Sequence, residues 1–410
     1  MSSSLLFWII IVIILVEYTI QLIVDTVNAK HFYDQLPNEV ADVFDEDEYK
    51  KSQAYKLTYH KFGQLKGVLG LLLILSVLFF DGFAFLDDWL RQNFENEIFI
   101  SLSFFGILYF ANDLIQLPFS YYSTFVIEEK FGFNKTTLKT FVLDQLKSWV
   151  LVIVVGGGVL ALLQWFYLAY PHNFWWYAWI FIIGFSLLMN LFYAQLIVPL
   201  FNKQEPLPEG TLKNKITTYA NQVNFQINNI FVIDGSKRSS KANAYFSGFG
   251  KQKRITLYDT LINDLSEDEV VAVLAHEVGH YKHKHIVYNL ILSSLLTGLT
   301  LYLLSLMLNE PIFSEAINAS QPSFHIGLLV FGFLYGPIST FTGVLMNLLS
   351  RKFEYQADNY AKSTHNATDL ISSLKKLSKK SLSNLTPHHF NVFLNYSHPP
   401  LKDRIKNLLN

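Results

Sequence analysis

The chain contains no cysteine. That excludes disulfides, thiolate metal sites and a cysteine nucleophile, and it leaves the redox compartment open. Charge is scarce as well. Only 16 % of the 410 residues are Asp, Glu, Lys or Arg, against roughly a quarter in a soluble domain. The net charge is −1, so no basic surface points to nucleic acid as a partner. Internal repeats and low-complexity tracts are missing too. What the chain has in abundance is apolar residues, 51 % of the total, gathered into long runs that indicate a membrane protein.

Seven such runs read as spanning helices, near residues 4–24, 67–86, 98–118, 149–170, 174–201, 286–308 and 325–350. Each approaches the ~20 apolar residues needed to cross about 30 Å of hydrocarbon. Asp81 interrupts the second. The first opens MSSSLLFW, with no basic segment ahead of it and no clear small-residue cleavage site. It is therefore expected to be a retained anchor rather than a signal peptide.

Charge tests this count. The segments after spans 1, 3, 5 and 7 hold 6, 4, 11 and 10 of the 32 Lys and Arg residues, and the remaining segments hold only Arg91. The positive-inside rule then puts the N-terminus outside and the C-terminus in the cytoplasm. Residues 202–285 and 351–410 are the cytoplasmic pieces large enough to fold. The hairpin of spans 6 and 7 brings both to the same membrane face. Residues 25–66, acidic and then basic, read as a solvated loop with a short helix. The chain thus divides into a membrane domain, 1–201, and a small α+β domain, 202–410, that includes spans 6 and 7.

Within the second domain, PEGTLKNKITTYANQV reads as a helix. NNIFVID, NAYFSGFG and RITLYD read as short strands, the last two forming a hairpin across residues 248–253. Ser266 followed three residues later by Glu269 is a capping box that starts a helix at LSEDEVVAVLAHEVGH.

That helix carries His276, Glu277 and His280 in the pattern His-Glu-x-x-His. Positions four apart share a helix face, so both imidazoles can aim at one ion. Zinc accepts neutral imidazole at about 2.0–2.1 Å in a tetrahedral shell. Glu277, one position on, can reach a water at the open position without ligating the metal, and can take its proton. This is a kit for hydrolysing an amide. The alternative is an i, i+4 pair of helix histidines, but the preceding VVAVLA implies burial, which is costly for unpartnered imidazoles.

A third ligand is required. His283 would stand about 4.5 Å beyond His280 along a straight helix, too far to converge on the same ion. His283 and His285 are expected at the helix end or membrane surface, with a supporting contact to a ligand histidine as the lesser alternative. Glu354 in RKFEYQAD leaves span 7 on the same side as the His motif, with Asp358 four residues on and on the same face. One carboxylate can ligate and the other can accept the second N–H of a ligand histidine. Two solvent-facing acids beside Arg351 and Lys352 would produce the same spacing, and spacing alone does not choose.

Taken together, HEVGH at 276–280, EYQAD at 354–358, NAYF at 243–246, SHPP at 397–400 and FVIEEKFGFNKTT at 125–137 resemble the type 1 CAAX prenyl proteases. PLFNKQEPLPEG and KSQAY match the same pattern, so the resemblance spans nearly the whole chain. It implies a mainly α, polytopic fold of seven helices around an intramembrane chamber, capped by a small α+β zinc-protease domain. It implies one Zn²⁺ held by His276, His280 and Glu354, with Glu277 as general base and Asp358 supporting a ligand. It implies that His398 stabilises the oxyanion and that Arg404 lies near the site. It implies that Asn243, Ala244, Tyr245 and Phe246 form an edge strand that binds the substrate backbone. A chamber would also account for Glu17 and Asp113 at membrane depth.

The resemblance further implies hydrolysis near the C-terminus of prenylated or lipid-embedded proteins. The membrane would be the bacterial inner membrane or the endoplasmic reticulum, depending on the host. A bacterial quality-control metalloprotease would use the same chemistry. A transporter or channel with a structural metal would need four protein ligands and no acid beside the first histidine.

Overall fold

The computed structural model describes residues 2–227, 229–247 and 254–410, with the side chains of Phe246 and Ser247 left aside. Seven helices are long and apolar enough to cross a membrane: Ser3–Tyr33, Glu46–Phe79, Glu97–Phe131, Leu138–Ala169, Phe174–Phe201, His285–Met307 and Phe324–Thr364. They are spans 1 to 7 below. All seven expected runs are present, but several continue well beyond the hydrocarbon.

Span 2 corrects two expectations. Residues 46–66 are not a solvated loop; they form the first half of one helix, Glu46–Phe79. It starts on a capping box in which Asp45 accepts from the Glu48 N–H and Glu48 accepts from the Asp45 N–H. The helix also stops earlier than residue 86. Asp81 takes a left-handed conformation, φ 53°, and a separate helix, Gly82–Asn93, follows at an angle. A β-carbon in that region is strained, and the Asp81 carboxylate accepts from Asn318 Nδ2 at 2.7 Å.

The spans form a closed ring. Each packs on the next in sequence, span 2 meeting the Ser123–Glu128 end of span 3, and span 7 returns to span 1. A helix on a solid core buries a stripe of roughly 100° or more, over a quarter of its surface. Here no more than 17 % of the most apolar stretch of any span is buried. The ring is one layer of helices with an unfilled interior. Asp113 inside it accepts from Gln145 Nε2 and Trp149 Nε1, both at 2.8 Å. Glu17 lies where a β-carbon at Gly336 would stand, so span 1 and span 7 approach closely there.

At the end of the ring away from the His motif, span 7 also meets span 3. Ser101 Oγ lies 2.7 Å from His325 Nδ1, and His325 Nε2 lies 2.7 Å from Asp87 Oδ1. Arg91 grips both oxygens of Asp87 at 3.0 and 3.1 Å. Ser101, His325 and Asp87 are wholly buried.

The α+β part holds a four-stranded sheet in the order β1-β2-β4-β3, with β1 Gln204–Pro206, β2 Asn229–Ile233, β3 Ala244–Ser247 and β4 Arg254–Tyr258. β2 and β4 run parallel; β1 on β2 and β3 on β4 are antiparallel. Strands β2 to β4 fall where the sequence places them, and the expected turn at 248–253 lies outside the described residues. β1 carries Pro206 as its last residue. It is an edge strand, where a missing N–H is tolerated. The helix Glu267–Lys282 starts on the expected capping box of Ser266 and Glu269. Its apolar face, including Val270, Val271, Leu274 and Val278, joins Ile255, Leu257, Ile216, Phe225 and Leu370 in the core of this domain.

Candidate active site

Two helices build the site. Glu267–Lys282 carries His276, Glu277 and His280; the C-terminal continuation of span 7 carries Glu354 and Asp358. They can approach because Gly279 faces Ala357. A β-carbon at Gly279 would lie 2.9 Å from the Ala357 Cα and 3.1 Å from the Tyr360 Cβ. The glycine in His-Glu-Val-Gly-His is therefore a contact residue between the two helices.

That approach brings two imidazole nitrogens and one carboxylate into a triangle. His276 Nε2 and His280 Nε2 are 3.2 Å apart. Glu354 places Oε2 3.4 Å from His276 Nε2 and Oε1 3.3 Å from His280 Nε2. Bonds of about 2.0–2.1 Å in a tetrahedral shell imply ligand separations of roughly 3.3 Å. Glu354 is 4 % exposed, yet its Oε2 has no hydrogen-bond partner among the described residues. An unsatisfied buried carboxylate oxygen needs an explanation, and a cation between the three groups supplies one. Two imidazoles and a carboxylate fit zinc; calcium or magnesium would take an all-oxygen set.

Asp358 is buried at 0 % and places Oδ1 2.9 Å from His276 Nδ1. Arg404 donates to the same carboxylate through Nε at 2.9 Å and Nη2 at 2.5 Å. With Arg404 donating to both oxygens, the proton between Asp358 and His276 belongs on Nδ1. That leaves the Nε2 lone pair facing the triangle. Burial works against a charged His276 ring, but the Asp358 and Glu354 carboxylates outweigh it and push the pKa up to about 9. The field at this point favours positive charge.

His280 has a partner that the sequence offers only as the lesser alternative. His285 Nδ1 lies 2.9 Å from His280 Nδ1, and His285 Nε2 lies 2.9 Å from Gln356 Oε1. His285 is 2 % exposed and stacks on Phe353 with ring centroids 4.0 Å apart. It is not a membrane-surface residue. The helix ends at Lys282 and Lys284 turns left-handed, φ 58°. The turn swings the next helix back so that its first residue touches His280. His283 stays at the helix end, capping Gly279 and Tyr281 through its backbone N–H.

His398 places Nε2 3.3 Å from Glu354 Oε1 while its side chain remains 64 % exposed. Arg351 donates to the Val392 and Tyr396 carbonyls and fixes the segment that presents His398. Glu277 is half-buried, and its carboxylate bonds no side chain among the described residues. Ala244 and Tyr245 lie at the sheet edge, with Asn243 just before them. Asn243 Oδ1 accepts from the Ala244 N–H at 2.8 Å, and Ala244 and Tyr245 belong to β3, whose outer side pairs with no strand. Beside Tyr245 a cavity of about 810 Å³ opens between the C-terminal end of span 5 and the start of span 6, lined by Asn190, Tyr193, Phe201 and Ile286 among others.

Comparison with known proteins follows this division of the chain. Residues 25–203 match the family described as CAAX prenyl protease N-terminal, five membrane helices, and residues 206–410 match peptidase family M48. The chain is 37 % identical to the CAAX prenyl protease 1 homolog of Oryza sativa subsp. japonica, over 91 % of this chain and 90 % of that protein. It is 36 % identical to CAAX prenyl protease 1 of Saccharomyces cerevisiae, over 90 % and 88 %. The crystal structure of S. mikatae Ste24p superimposes with a TM-score of 0.93 at 34 % identity, covering 98 % of this chain and 99 % of that one. With seven spans, a ring, and a His-His-Glu triangle at its rim, the chain belongs to the CAAX prenyl proteases of peptidase family M48 and is a multi-pass integral-membrane metalloendopeptidase.

Proposed function

We propose that His276, His280 and Glu354 hold a single zinc ion, and that the site cuts peptide bonds near the C-terminus of prenylated or lipid-embedded proteins. The observation that carries this is the set of two imidazole nitrogens and the Glu354 carboxylate with 3.2–3.4 Å separations, one buried carboxylate oxygen making no hydrogen bond among the described residues. Zinc, when bound, polarises the scissile carbonyl and lowers the pKa of water to roughly 7. Glu277 takes the proton of the attacking water and hands it to the leaving amine. Its freedom from side-chain bonds leaves it able to do both. His398, exposed and anchored by the SHPP turn, donates to the oxygen on which negative charge develops. Asp358, held by Arg404, keeps the His276 tautomer fixed.

Asn243, Ala244, Tyr245 and Phe246 present the free edge of β3, to which a substrate adds as an extra strand. Backbone hydrogen bonds would hold any sequence there, so selectivity comes from the membrane ring. Residues 1–201 serve as that ring's main part, and residues 202–410, with spans 6 and 7, as the peptidase domain. The Lys and Arg distribution supports a cytoplasmic active site and an outside N-terminus.

The test is mass spectrometry of products from a farnesylated CAAX peptide and its unprenylated twin. Preferential cleavage of the farnesylated peptide, at a bond next to the modified cysteine, supports the reading. Equal cleavage of both supports a general membrane-protein protease with the same chemistry.

A further inference from the structure

Two motifs in the sequence have no part in the chemistry above: KSQAY at 51–55 and FVIEEKFGFNKTT at 125–137. The fold brings both to one place. Tyr55 and Tyr59 of span 2 each donate to Glu128 Oε1 of span 3 at 2.5 Å. Lys241, from the loop between β2 and β3, donates to Glu128 Oε2 and to the Tyr55 hydroxyl, both at 2.9 Å. Its ammonium also lies 4.3 Å from the ring centroid of Phe133. The backbone is fastened as well. Asn134 and Ser239 form a β-bridge, Lys135 N–H donates to Arg238 at 3.0 Å, and Ser240 N–H donates to Phe133 at 3.1 Å. Arg238 grips Asp144 of span 4 through Nε at 2.7 Å and Nη2 at 2.9 Å.

This strap ends at Lys241, three residues before β3 begins at Ala244. The edge strand is thereby tied to spans 2, 3 and 4. The metal ligands ride on the helix Glu267–Lys282 and span 7; β3 reaches that helix through its pairing with β4, and the strap holds the other side of the strand. A substrate lying on β3 must present one carbonyl to the ligand triangle, so the offset between these two parts decides whether that bond is in reach. A misplacement of about 1 Å can cost 10²-fold in rate.

We propose that Glu128 and Lys241, with Tyr55, are positioning residues: their contact fixes β3 relative to the ligand triangle and so aligns the scissile bond. This rests on the strand-addition reading above. Neither residue touches substrate; both act through the loop that leads into β3.

The experiment uses the full-length protein, metal-loaded, with a synthetic peptide substrate. Glu128→Gln and Lys241→Gln should lower kcat by about 10-fold or more, with KM within about threefold and metal content at the wild-type level. Tyr55→Phe should give a smaller fall of the same kind. The reversed pair, Glu128→Lys with Lys241→Glu, should recover most of the kcat lost in either single reversal. A role in folding alone would lower kcat only in step with metal content and folded fraction, and that result overturns the proposal, as does a kcat unchanged at full metal occupancy. A peptide N-methylated at the backbone position facing β3 separates the two readings. If wild type cuts it as fast as the plain peptide, strand addition itself fails. If methylation slows cleavage while Glu128→Gln does not, only the positioning role fails.

Discussion

Span 7 carries a buried histidine–carboxylate pair at each end, and the two ends could hardly be used more differently. His325 and Glu354 are about 43 Å apart along the helix. At the first end Ser101, His325 and Asp87 stand in serine–histidine–aspartate order with both contacts at 2.7 Å, the connectivity of a nucleophilic triad. Yet all three are 0 % exposed, and each is bonded by its neighbours. At the other end, His276 meets Asp358 at a similar 2.9 Å, but Glu354 keeps an unpartnered oxygen, Glu277 bonds no side chain among the described residues, and His398 is mostly exposed. Connectivity is shared. What separates a lock from a reactive site is a vacant bonding direction and a path to it.

Four variants break or sharpen that contrast. The largest effect belongs to Glu277→Gln, expected to lower kcat by about 10²–10⁴-fold while metal content stays at the wild-type level; single-turnover assays with parallel elemental analysis check it. His325→Ala takes one partner from the buried Asp87, which keeps Arg91, and leaves the buried Ser101 hydroxyl without its ring contact; it should cost about 1–3 kcal/mol of stability, read from thermal unfolding in detergent. Activity per folded molecule should not change; a loss at full metal occupancy would erase the distinction between the ends. Asp358→Asn should weaken metal binding by about 10–100-fold, measured by competition with a chelator.

The smallest effect concerns Glu269, which caps the helix bearing the histidines and is gripped by Lys376 at 2.7 Å and Ser372 at 2.6 Å. Burial raises its pKa, but Lys376, Ser372 and the Ser266 N–H outweigh it and hold it below the usual carboxylate value. A depressed pKa stabilises the fold fully above the unfolded-state value of about 4.3, and that contribution is lost as pH falls through the folded value. Glu269→Gln should therefore cost about 1.5 kcal/mol near neutral pH, and the gap from wild type should close as pH falls below about 4. Unfolding midpoints of both proteins across that range are the check.

Much of this was legible in the sequence because it is written in local periodicity. Runs of about 20 apolar residues, the Ser266–Glu269 box and the i, i+4 histidines are each decided within a few turns. Glu354 was reachable because it follows span 7 on the same side. What could not be read depended on contacts between distant segments or on single backbone torsions. His285 was misplaced because one left-handed residue, Lys284, redirects the chain. Asp81 ends span 2 for the same kind of reason, and the polar half of that helix lacks the apolar pattern that reveals the rest. The Glu128–Lys241 contact joins residues 113 positions apart, which no local rule anticipates. Gly279 looked like one more helix residue until Ala357 was seen against it.

The most direct test of the central claim is the zinc content of purified wild-type protein and of Glu354→Ala, measured by elemental analysis after dialysis against a weak chelator. One zinc per chain in the wild type and almost none in the variant is the result expected from three ligands meeting at one ion. Zinc retained in full by Glu354→Ala, or absent from active wild-type protein, would contradict it.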